Sequence, residues 1–419
     1  MTGPGDGVRV RTLDEAIRLD GADPLAAFRD RFLPLDDPGV VAYLDGNSLG
    51  RPSSATLHAV TDLVTRGWGS RLIRSWSEGW LELPERIGDA LGSAALGAEA
   101  GQTVLADSTT VCLYKVLRAA AALRPGRTEL VTDRDNFPTD RYLVEGVAAE
   151  RGLTVRWIEP DPAAGVTVGQ LDEVLSARTA VVALSHVAYR SAYLADLPAL
   201  TARTHAAGAL VVWDLCHSVG AVPLHLDEHD VDFAVGCTYK YLNAGPGAPA
   251  FLYVRAAHHE GFTQPVPGWI GHRDPFAMAQ GYRGATGVRR ALSGTPPVLG
   301  LVGVREGVAL VAEAGIDRIR AKSVALTELV VELADGWLAP AGARVASPRE
   351  PDRRGGHVTV SAPAGSDAAA LTGRLIAAGV IVDHRPPDGI RIGLSPLTTG
   401  FAEVWRAMRI VGDVLAGGG

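Results

Sequence analysis

Two side chains of complementary chemistry stand at the ends of neighbouring predicted strands. Asp214 ends the apolar run ALVVWD, and Lys240 follows the run DFAVGCT. The carboxyl ends of parallel strands share one edge of a sheet, where open α/β folds bind ligands. Pyridoxal phosphate needs an amine to bind its aldehyde, a carboxylate to keep its ring nitrogen protonated and donors for its phosphate. Taken singly, Asp214 is as readily a strand-end cap and Lys240 a solvated side chain.

The chain offers few alternatives to Lys240 as an amine nucleophile. Its other lysines, Lys115 and Lys322, lie in the helical patterns LYKVLRAAAAL and DRIRAKSVAL. Because a helical context away from the strand ends does not face the predicted ligand edge, Lys240 is the best candidate for a covalent bond to the cofactor.

Three further features fit a cofactor pocket but have simpler explanations. The segment 106–120 places hydroxyl-bearing residues at a helix start, which suits a phosphate but is equally explained by N-capping. Phe137 in DNFPTDRY is placed to stack on a flat ring, although a core position is its default, and His217 is often merely structural at a helix start. GPGAP (245–249) lacks GxGxxG spacing and precedes no predicted helix, which excludes a nucleotide loop.

The elements that position these residues alternate between strand and helix, as in βαβ units. This predicts an α/β fold with a mostly parallel central sheet. A helix in ADLPALTARTHAAG is predicted to end at Gly208 as its C-cap. The predicted strands are 128–133, 153–159, 179–185, 209–214, 232–238 and 248–254.

From about residue 300 the pattern changes to a long helical stretch and then to a smaller α+β unit. Its predicted strands are HVTVSA, VIVDH and IRIGLS, and SPREPDRRGG is expected to be an exposed turn. The chain is therefore divided into an N-terminal segment that packs on the small domain (1–55), a large cofactor-binding domain (56–305) and a small C-terminal domain (306–419).

Composition narrows the class of partner. The formal charge is −7 and no basic block occurs, which argues against nucleic acid or an anionic membrane and favours a small-molecule substrate. The amino terminus lacks a signal pattern and no 18-residue apolar stretch occurs, so a cytoplasmic location is expected. Three cysteines without a CxxC pair indicate small buried residues rather than a disulfide framework or a metal site.

Several motifs together resemble those of the kynureninases, fold-type I pyridoxal-phosphate enzymes related to the aspartate aminotransferase superfamily. The resemblance covers nearly the whole chain in the expected order. Its TYKYLNAGPGAP block is specific to that family, whereas Asp-x-x-His followed by a lysine is shared with cysteine desulfurases. The other segments that carry it are YLDGNSLGRP, NFPTDRY, DLCHSVGAVPL and PGWIGH.

The resemblance assigns a role to each matching position. It implies a homodimer in which two subunits build each site. Lys240 would bind the cofactor as a Schiff base, Asp214 would pair with the pyridinium, and Tyr239 would protonate the product. The remaining cofactor contacts would be Thr109, Thr110, Tyr239, Phe137, Ser185 and His217, with Trp269 and Thr295 from the second subunit; the substrate contacts would be Arg391 for the carboxylate, Asn47 and Ser77.

The implied reaction is hydrolytic cleavage of the Cβ–Cγ bond of L-kynurenine, its 3-hydroxy form or a ring-substituted analogue. It gives L-alanine and an anthranilate, in tryptophan catabolism or NAD biosynthesis. Many bacterial relatives have Asn where this chain has Ser77, Cys112 and Ala188, and Tyr where it has Thr398. If these positions line the pocket, they alter which aryl ketone is accepted.

Two other functions stay open at this point. A desulfurase or aminotransferase of the same superfamily shares the lysine motif, but a desulfurase wants a late mobile-loop cysteine and none follows Cys237. A binding protein that merely keeps the fold is disfavoured because Lys240, Asp214 and Arg391 are all present.

Overall fold

The computed structural model describes residues 12–161, 163–278 and 280–417. The first eleven residues, part of the predicted N-terminal segment without a signal pattern, lie outside this description. The helices are α1 Leu13–Ala22, α2 Ser54–Asp62, α3 Leu83–Leu91, α4 Thr109–Ala122, α5 Pro138–Arg151, α6 Val168–Val174, α7 Leu197–Ala206, α8 Val298–Ala314, α9 Ile316–Leu333, α10 Ala368–Ala377 and α11 Phe401–Ala416. The strands are β1 Ala42–Tyr43, β2 Thr103–Ala106, β3 Glu129–Asp133, β4 Thr154–Ile158, β5 Thr179–Ser185, β6 Leu210–Asp214, β7 Phe233–Gly236, β8 Ala250–Val254, β9 Arg344–Val345, β10 His357–Ser361, β11 Val380–Ile381, β12 Asp383–Arg385 and β13 Gly389–Gly393.

The central sheet has seven strands in the order β2-β8-β7-β6-β5-β3-β4. Strand β8 is antiparallel to both of its neighbours, and the pairs from β7 to β4 are parallel. The predicted α/β fold with a mostly parallel sheet is therefore confirmed. Every residue of β6 and β7 is buried, which explains why both read as continuous apolar runs rather than alternating ones.

The C-terminal part has its own sheet and core. Its strands follow the antiparallel order β12-β13-β10-β9. The predicted single strand VIVDH is instead two short strands, because β11 leaves this sheet to pair in parallel with β1. Ala42 and Leu44 join the core of α10 and α11, whereas Leu25 and Phe28 join the core of the large sheet. The N-terminal segment thus packs on both cores, and the core of the large sheet includes Ile319 and Leu397, beyond the predicted boundary at residue 305, so the three-part division stays a prediction.

The prediction that SPREPDRRGG is an exposed turn is wrong at both ends, because residues 347–348 and 354–356 are buried. Residues 349–353 are exposed, but Arg354 is fully buried. Its guanidinium donates to the carbonyls of Pro348 and Arg349 and pairs with Glu328. Buried charge of this kind needs such partners, and loop-like composition alone does not reveal them.

Two smaller expectations are met. Helix α7 has its C-cap at Ala207, and Gly208 follows with a left-handed φ of 75°, one residue from the predicted cap. All three cysteines are buried. No helix in the described part of the chain is long and apolar enough to span a membrane.

Asp232 ties the amino-terminal end of β7 to its surroundings. Its buried carboxylate accepts hydrogen bonds from His205 Nε2 at 2.7 Å, His258 Nε2 at 2.6 Å and the backbone N–H of Val211 at 2.8 Å. Burial alone would raise the pKa of Asp232, but the hydrogen bonds from His205 and His258 outweigh it and lower the pKa to about 2. The ionised form is thus stabilised by folding.

Asp232→Asn should lower the free energy of unfolding by about 2 kcal/mol at neutral pH, because the folded-state pKa lies below the roughly 3.9 of an unfolded chain. This contribution is present above about pH 4 and is lost as the pH falls through about 2. Urea denaturation of wild type and variant from pH 7 to pH 3 measures it. Asp230→Asn, which removes an exposed ion pair with Arg255, is the control and should change stability by less than about 1 kcal/mol. An equal effect of the two variants would mean that Asp232 contributes no more to stability than an exposed ion pair does.

Candidate active site

A cavity of about 330 Å³ opens at the carboxyl edge of the central sheet. This volume falls in the range of small-molecule sites. The sheet edge contributes an acid and the loop after β7 contributes an amine, as predicted. The polar and aromatic side chains that line it include Thr109, Thr110, Phe137, Asp140, Asp214, His217, Tyr239 and Lys240.

The Asp214 carboxylate is held in place from two sides. Its Oδ1 accepts a hydrogen bond from the backbone N–H of Cys216 at 2.9 Å, and its Oδ2 accepts one from Ser185 Oγ at 3.2 Å. The Ser185 hydroxyl shares its single proton between Asp214 and Asn136 Oδ1, which lies 2.7 Å away. Parallel pairing sets Ser185 of β5 directly opposite Asp214 of β6. Asp214 therefore caps the turn after β6 and also enters the cavity as an oriented buried acid.

Lys240 lies next to His217 in the cavity, with its Nζ 3.2 Å from His217 Nε2. Burial and the charge of Lys240 lower the pKa of His217 well below its ordinary value, so this imidazole is neutral at pH 7. Burial, with the thiols of Cys237 and Cys216 nearby, raises the pKa of Tyr239, so its phenol stays protonated. The site thus combines an amine, a neutral imidazole and a protonated phenol.

Helix α4 points its amino terminus into the same cavity. Ser108 is the N-cap and accepts a hydrogen bond from the backbone N–H of Val111, so N-capping accounts for this residue. Thr109 and Thr110 follow at the first turn and line the cavity. Free N–H groups and hydroxyls at a helix start form a favourable site for a phosphate.

The N-terminal segment fixes the loop that carries Lys240. The backbone N–H of Gly50 donates to the carbonyl of Tyr239 at 2.7 Å. A Cβ at position 50 would lie 2.3 Å from the carbonyl oxygen of Lys240 and 2.4 Å from Asn243 Oδ1. Glycine is therefore required where YLDGNSLGRP meets TYKYLN, which gives a physical reason for two of the motifs in the sequence.

Arg391 is 1% exposed and its guanidinium is surrounded by acceptors. It donates to the Tyr189 carbonyl at 2.9 Å, Ser48 Oγ at 2.6 Å and Asp383 Oδ2 at 2.6 Å. With its amide oriented to satisfy both neighbours, Asn47 accepts from Arg391 Nε at 3.2 Å and donates to Asp45 at 3.2 Å. The two predicted substrate contacts, Arg391 and Asn47, are thus in direct contact with each other.

Six predicted site residues do not line the Lys240 cavity of the same chain: Ser185, Asn47, Arg391, Trp269, Thr295 and Ser77. Thr295 lies in a separate apolar groove beside Trp76 and Trp80. Trp269 packs edge-on against Trp76 with ring centroids 6.5 Å apart. Ser77 is exposed and donates to the carbonyl of Arg74.

The positions that depart from many bacterial relatives also differ in location. Cys112 is fully buried in the core under the sheet and bonds to the carbonyl of Ala106, so the expectation that it lines the pocket is wrong. Thr398 is buried and near the carbonyl of Ser395, and it is not among the cavity-lining side chains. Ala188 lines a smaller adjoining pocket with Phe137 and Ser185.

Sequence reasoning missed two buried groups at the site. Asp140, within the quoted motif NFPTDRY, lines the cavity, and burial together with the Asp214 carboxylate raises its pKa well above the ordinary value. His357 of β10 is fully buried, with its ring 5.6 Å from that of His217. Burial and the charges of Arg391 and Lys240 lower the pKa of His357. The motif could have revealed Asp140, but nothing in the pattern of β10 singles out His357.

The donor set of the cavity fits pyridoxal phosphate. Lys240 supplies an amine for the aldehyde, Asp214 supplies an oriented carboxylate for the ring nitrogen, and the start of α4 supplies donors for the phosphate. Phe137, predicted either to stack on the ring or to sit in the core, is 38% exposed and borders the cavity. A core role is therefore excluded for this side chain.

Comparison with known proteins agrees with the site. Residues 319–411 match the family model of the kynureninase C-terminal domain. The chain is 41% identical to a kynureninase of Pseudomonas fluorescens over 96% of its own length and 95% of that protein. In fold it is similar to the apo cysteine desulfurase of Thermococcus onnurineus NA1 (TM-score 0.80, 18% identity, covering 93% and 98% of the two chains). It is also similar to a mutant of C-DES with glycine covalently linked to its PLP cofactor (TM-score 0.79, 18% identity, covering 91% and 98%).

Lys240→Ala should abolish covalent attachment of pyridoxal phosphate and nearly all turnover. Neither other lysine can replace it, because Lys115 is fully buried against Asp107 at 2.5 Å and Lys322 is buried against Asp23 at 2.7 Å. Borohydride reduction of wild type and variant followed by peptide mapping is the measurement. Label on Lys115 or Lys322 in the wild type would contradict the assignment.

Proposed function

We propose that the cavity around Lys240 is the active site of this chain, which belongs to the kynureninase family. There the chain hydrolyses the Cβ–Cγ bond of L-kynurenine, 3-hydroxykynurenine or a ring-substituted analogue. The products are L-alanine and the corresponding anthranilate. The proposal rests on the presence of Lys240 and an oriented Asp214 in one cavity. Bound pyridoxal phosphate supplies the protonated ring that withdraws electrons from the substrate's α-carbon.

Three side chains of the cavity have proposed roles in the reaction. Asp214, fixed by Ser185 and the Cys216 N–H, holds a proton on the cofactor's ring nitrogen. Lys240 binds the cofactor and, once its amine is free, takes the proton from the substrate's α-carbon. A positioned acid or base of this kind contributes about 10²–10⁴-fold to a rate. Tyr239, whose pKa is raised by burial, keeps its phenolic proton at neutral pH and is the proposed donor to the β-carbon of the departing alanine.

The remaining contacts follow from where each group lies. Thr109 and Thr110 at the start of α4, together with Tyr239, are the proposed phosphate contacts. Phe137 is proposed to cover one face of the ring, and the neutral His217 is proposed to lie near it. Arg391, next to Asn47, is proposed to hold the substrate carboxylate through its planar guanidinium.

Incubation of the holoenzyme with L-kynurenine should release alanine and anthranilate in equal amounts. An aminotransferase would instead form a keto acid, and a protein that only binds the cofactor would form neither product. Values of kcat/KM for kynurenine, 3-hydroxykynurenine and ring-methylated or ring-halogenated analogues identify the preferred aryl group. Keto acid as the main product, or no turnover of any of these ketones, would contradict the proposed function.

We also propose that two copies of the chain share their active sites. A groove of about 640 Å³ beside α2 is almost wholly apolar, and it includes Trp68 and Ile73, which are 57% and 76% exposed. Contiguous exposed apolar surface of this kind marks a protein interface. Thr295 lies in this groove rather than in the Lys240 cavity. A partner seated there would bring its Thr295 toward a site that this residue cannot reach within its own chain.

Ile73→Glu should convert the dimer to monomer and reduce turnover, because burying an unpaired carboxylate in the interface is unfavourable. Sedimentation velocity of the holoenzyme measures the change in mass. Ile376→Glu, at an exposed apolar position on α10 outside the groove, is the matched control and should leave the mass unchanged. A wild type that sediments as a monomer would refute the shared sites.

A further inference from the structure

The guanidinium of Arg391 has almost no capacity left for a ligand. An arginine has five N–H donors. Four are used here, by Asn47, Tyr189, Ser48 and Asp383. A carboxylate bound through two parallel hydrogen bonds needs two adjacent N–H groups. One of the present acceptors must therefore leave when a carboxylate binds.

Asp383 is the acceptor that is able to leave. The Tyr189 acceptor is a backbone carbonyl and Asn47 is fully buried, so neither is free to move away. The Ser48 hydroxyl is uncharged and does not repel an incoming carboxylate. A second carboxylate brought beside Asp383 would place two negative charges against each other at a single cation. Asp383 lies on β12, an edge strand of three residues, and its side chain is 25% exposed. It also pairs with Arg385, whose side chain is 27% exposed.

We propose that Asp383 is an internal competitor for the substrate carboxylate. In the free protein it occupies the edge of Arg391 that the substrate needs, and on binding it gives up Arg391 while keeping its ion pair with Arg385. This proposal rests on the proposed role of Arg391 in holding the carboxylate. Asp383 is thus a specificity-determining residue: a ligand without a carboxylate cannot take its place, and the buried guanidinium never lacks a counter-charge.

Removing the charge of Asp383 should therefore strengthen the binding of carboxylates. When the binding-competent state is only a fraction of the population, the apparent affinity is reduced by that fraction. If Arg391 is free of Asp383 in about one tenth of molecules, Asp383→Asn lowers the dissociation constant about tenfold. Asp383→Ser removes the same charge and replaces the Asn variant if that protein does not fold.

The experiment is calorimetric titration of the holoenzyme with 4-(2-aminophenyl)-4-oxobutanoate, an aryl ketone that keeps the carboxylate but lacks the α-amino group. The corresponding amide is the matched ligand. Asp383→Asn should lower the dissociation constant of the acid several-fold and leave that of the amide unchanged. Asp388→Asn, in the turn of the same hairpin with a weak 3.9 Å contact to Arg344, should change neither. Arg391→Lys should raise the dissociation constant of the acid, since lysine cannot reproduce the planar fork of hydrogen bonds.

The two possible failures are distinguishable. If Asp383→Asn leaves the affinity for the acid unchanged or lowers it, while Arg391→Lys also lowers it, Asp383 only orients Arg391. The proposed exchange of Asp383 for the substrate carboxylate is then refuted. If Arg391→Lys leaves the affinity for the acid unchanged, Arg391 does not hold the carboxylate and the proposed role itself fails.

Discussion

The parallel register of β5, β6 and β7 is the constraint on which the site depends. It aligns Ser185 with Asp214 and Asp214 with Val235, so the acid of one strand lies beside the end of the next. The chain then turns within four residues to Lys240. A buried carboxylate is costly unless its oxygens are hydrogen-bonded, and this register supplies Ser185 on one side while the following turn supplies the N–H of Cys216. The same pairing that builds the sheet core therefore also stabilises and aims the acid.

A second set of contacts joins the two cores at the site. The segment around Gly50 bonds to the Lys240 loop of the large domain, while Asn47 and Ser48 contact Arg391 of the C-terminal sheet. Because Arg391 is almost completely buried, it needs counter-charges, and Asp383 and Asp45 provide them. Breaking a buried ion pair by removing one partner typically costs about 3–5 kcal/mol. The network therefore holds the N-terminal segment against both cores, and its charges must be rearranged rather than removed when a ligand enters.

The sequence predicts the parts of this site that depend on local pattern. Asp214 and Lys240 are found because apolar runs end just before them, and Thr109 because hydroxyls open an apolar helix. Contacts between distant segments leave no such pattern. Asp383 and Asn47 meet Arg391 only after β1, β12 and β13 have assembled, and the burial of Arg354 in a loop of polar composition depends on Glu328 of α9. Cys112 shows the opposite error, since it lies in a motif beside the site but its side chain points into the core.

The positions of the predicted site residues separate those that one chain brings together from those that a second chain would contribute. The proposed proton-transfer groups Lys240, Tyr239 and Asp214 all line a cavity built by a single chain, whereas Thr295 lies outside it. Of the four altered positions, Cys112 and Thr398 are buried away from that cavity, Ala188 faces a small adjoining pocket, and Ser77 is exposed next to Trp76. In the proposed dimer, Thr295 lies on the surface that meets the partner. The proposed dimer therefore places Thr295, a predicted cofactor contact, where two subunits meet, apart from the cavity that Asp214 and Lys240 line.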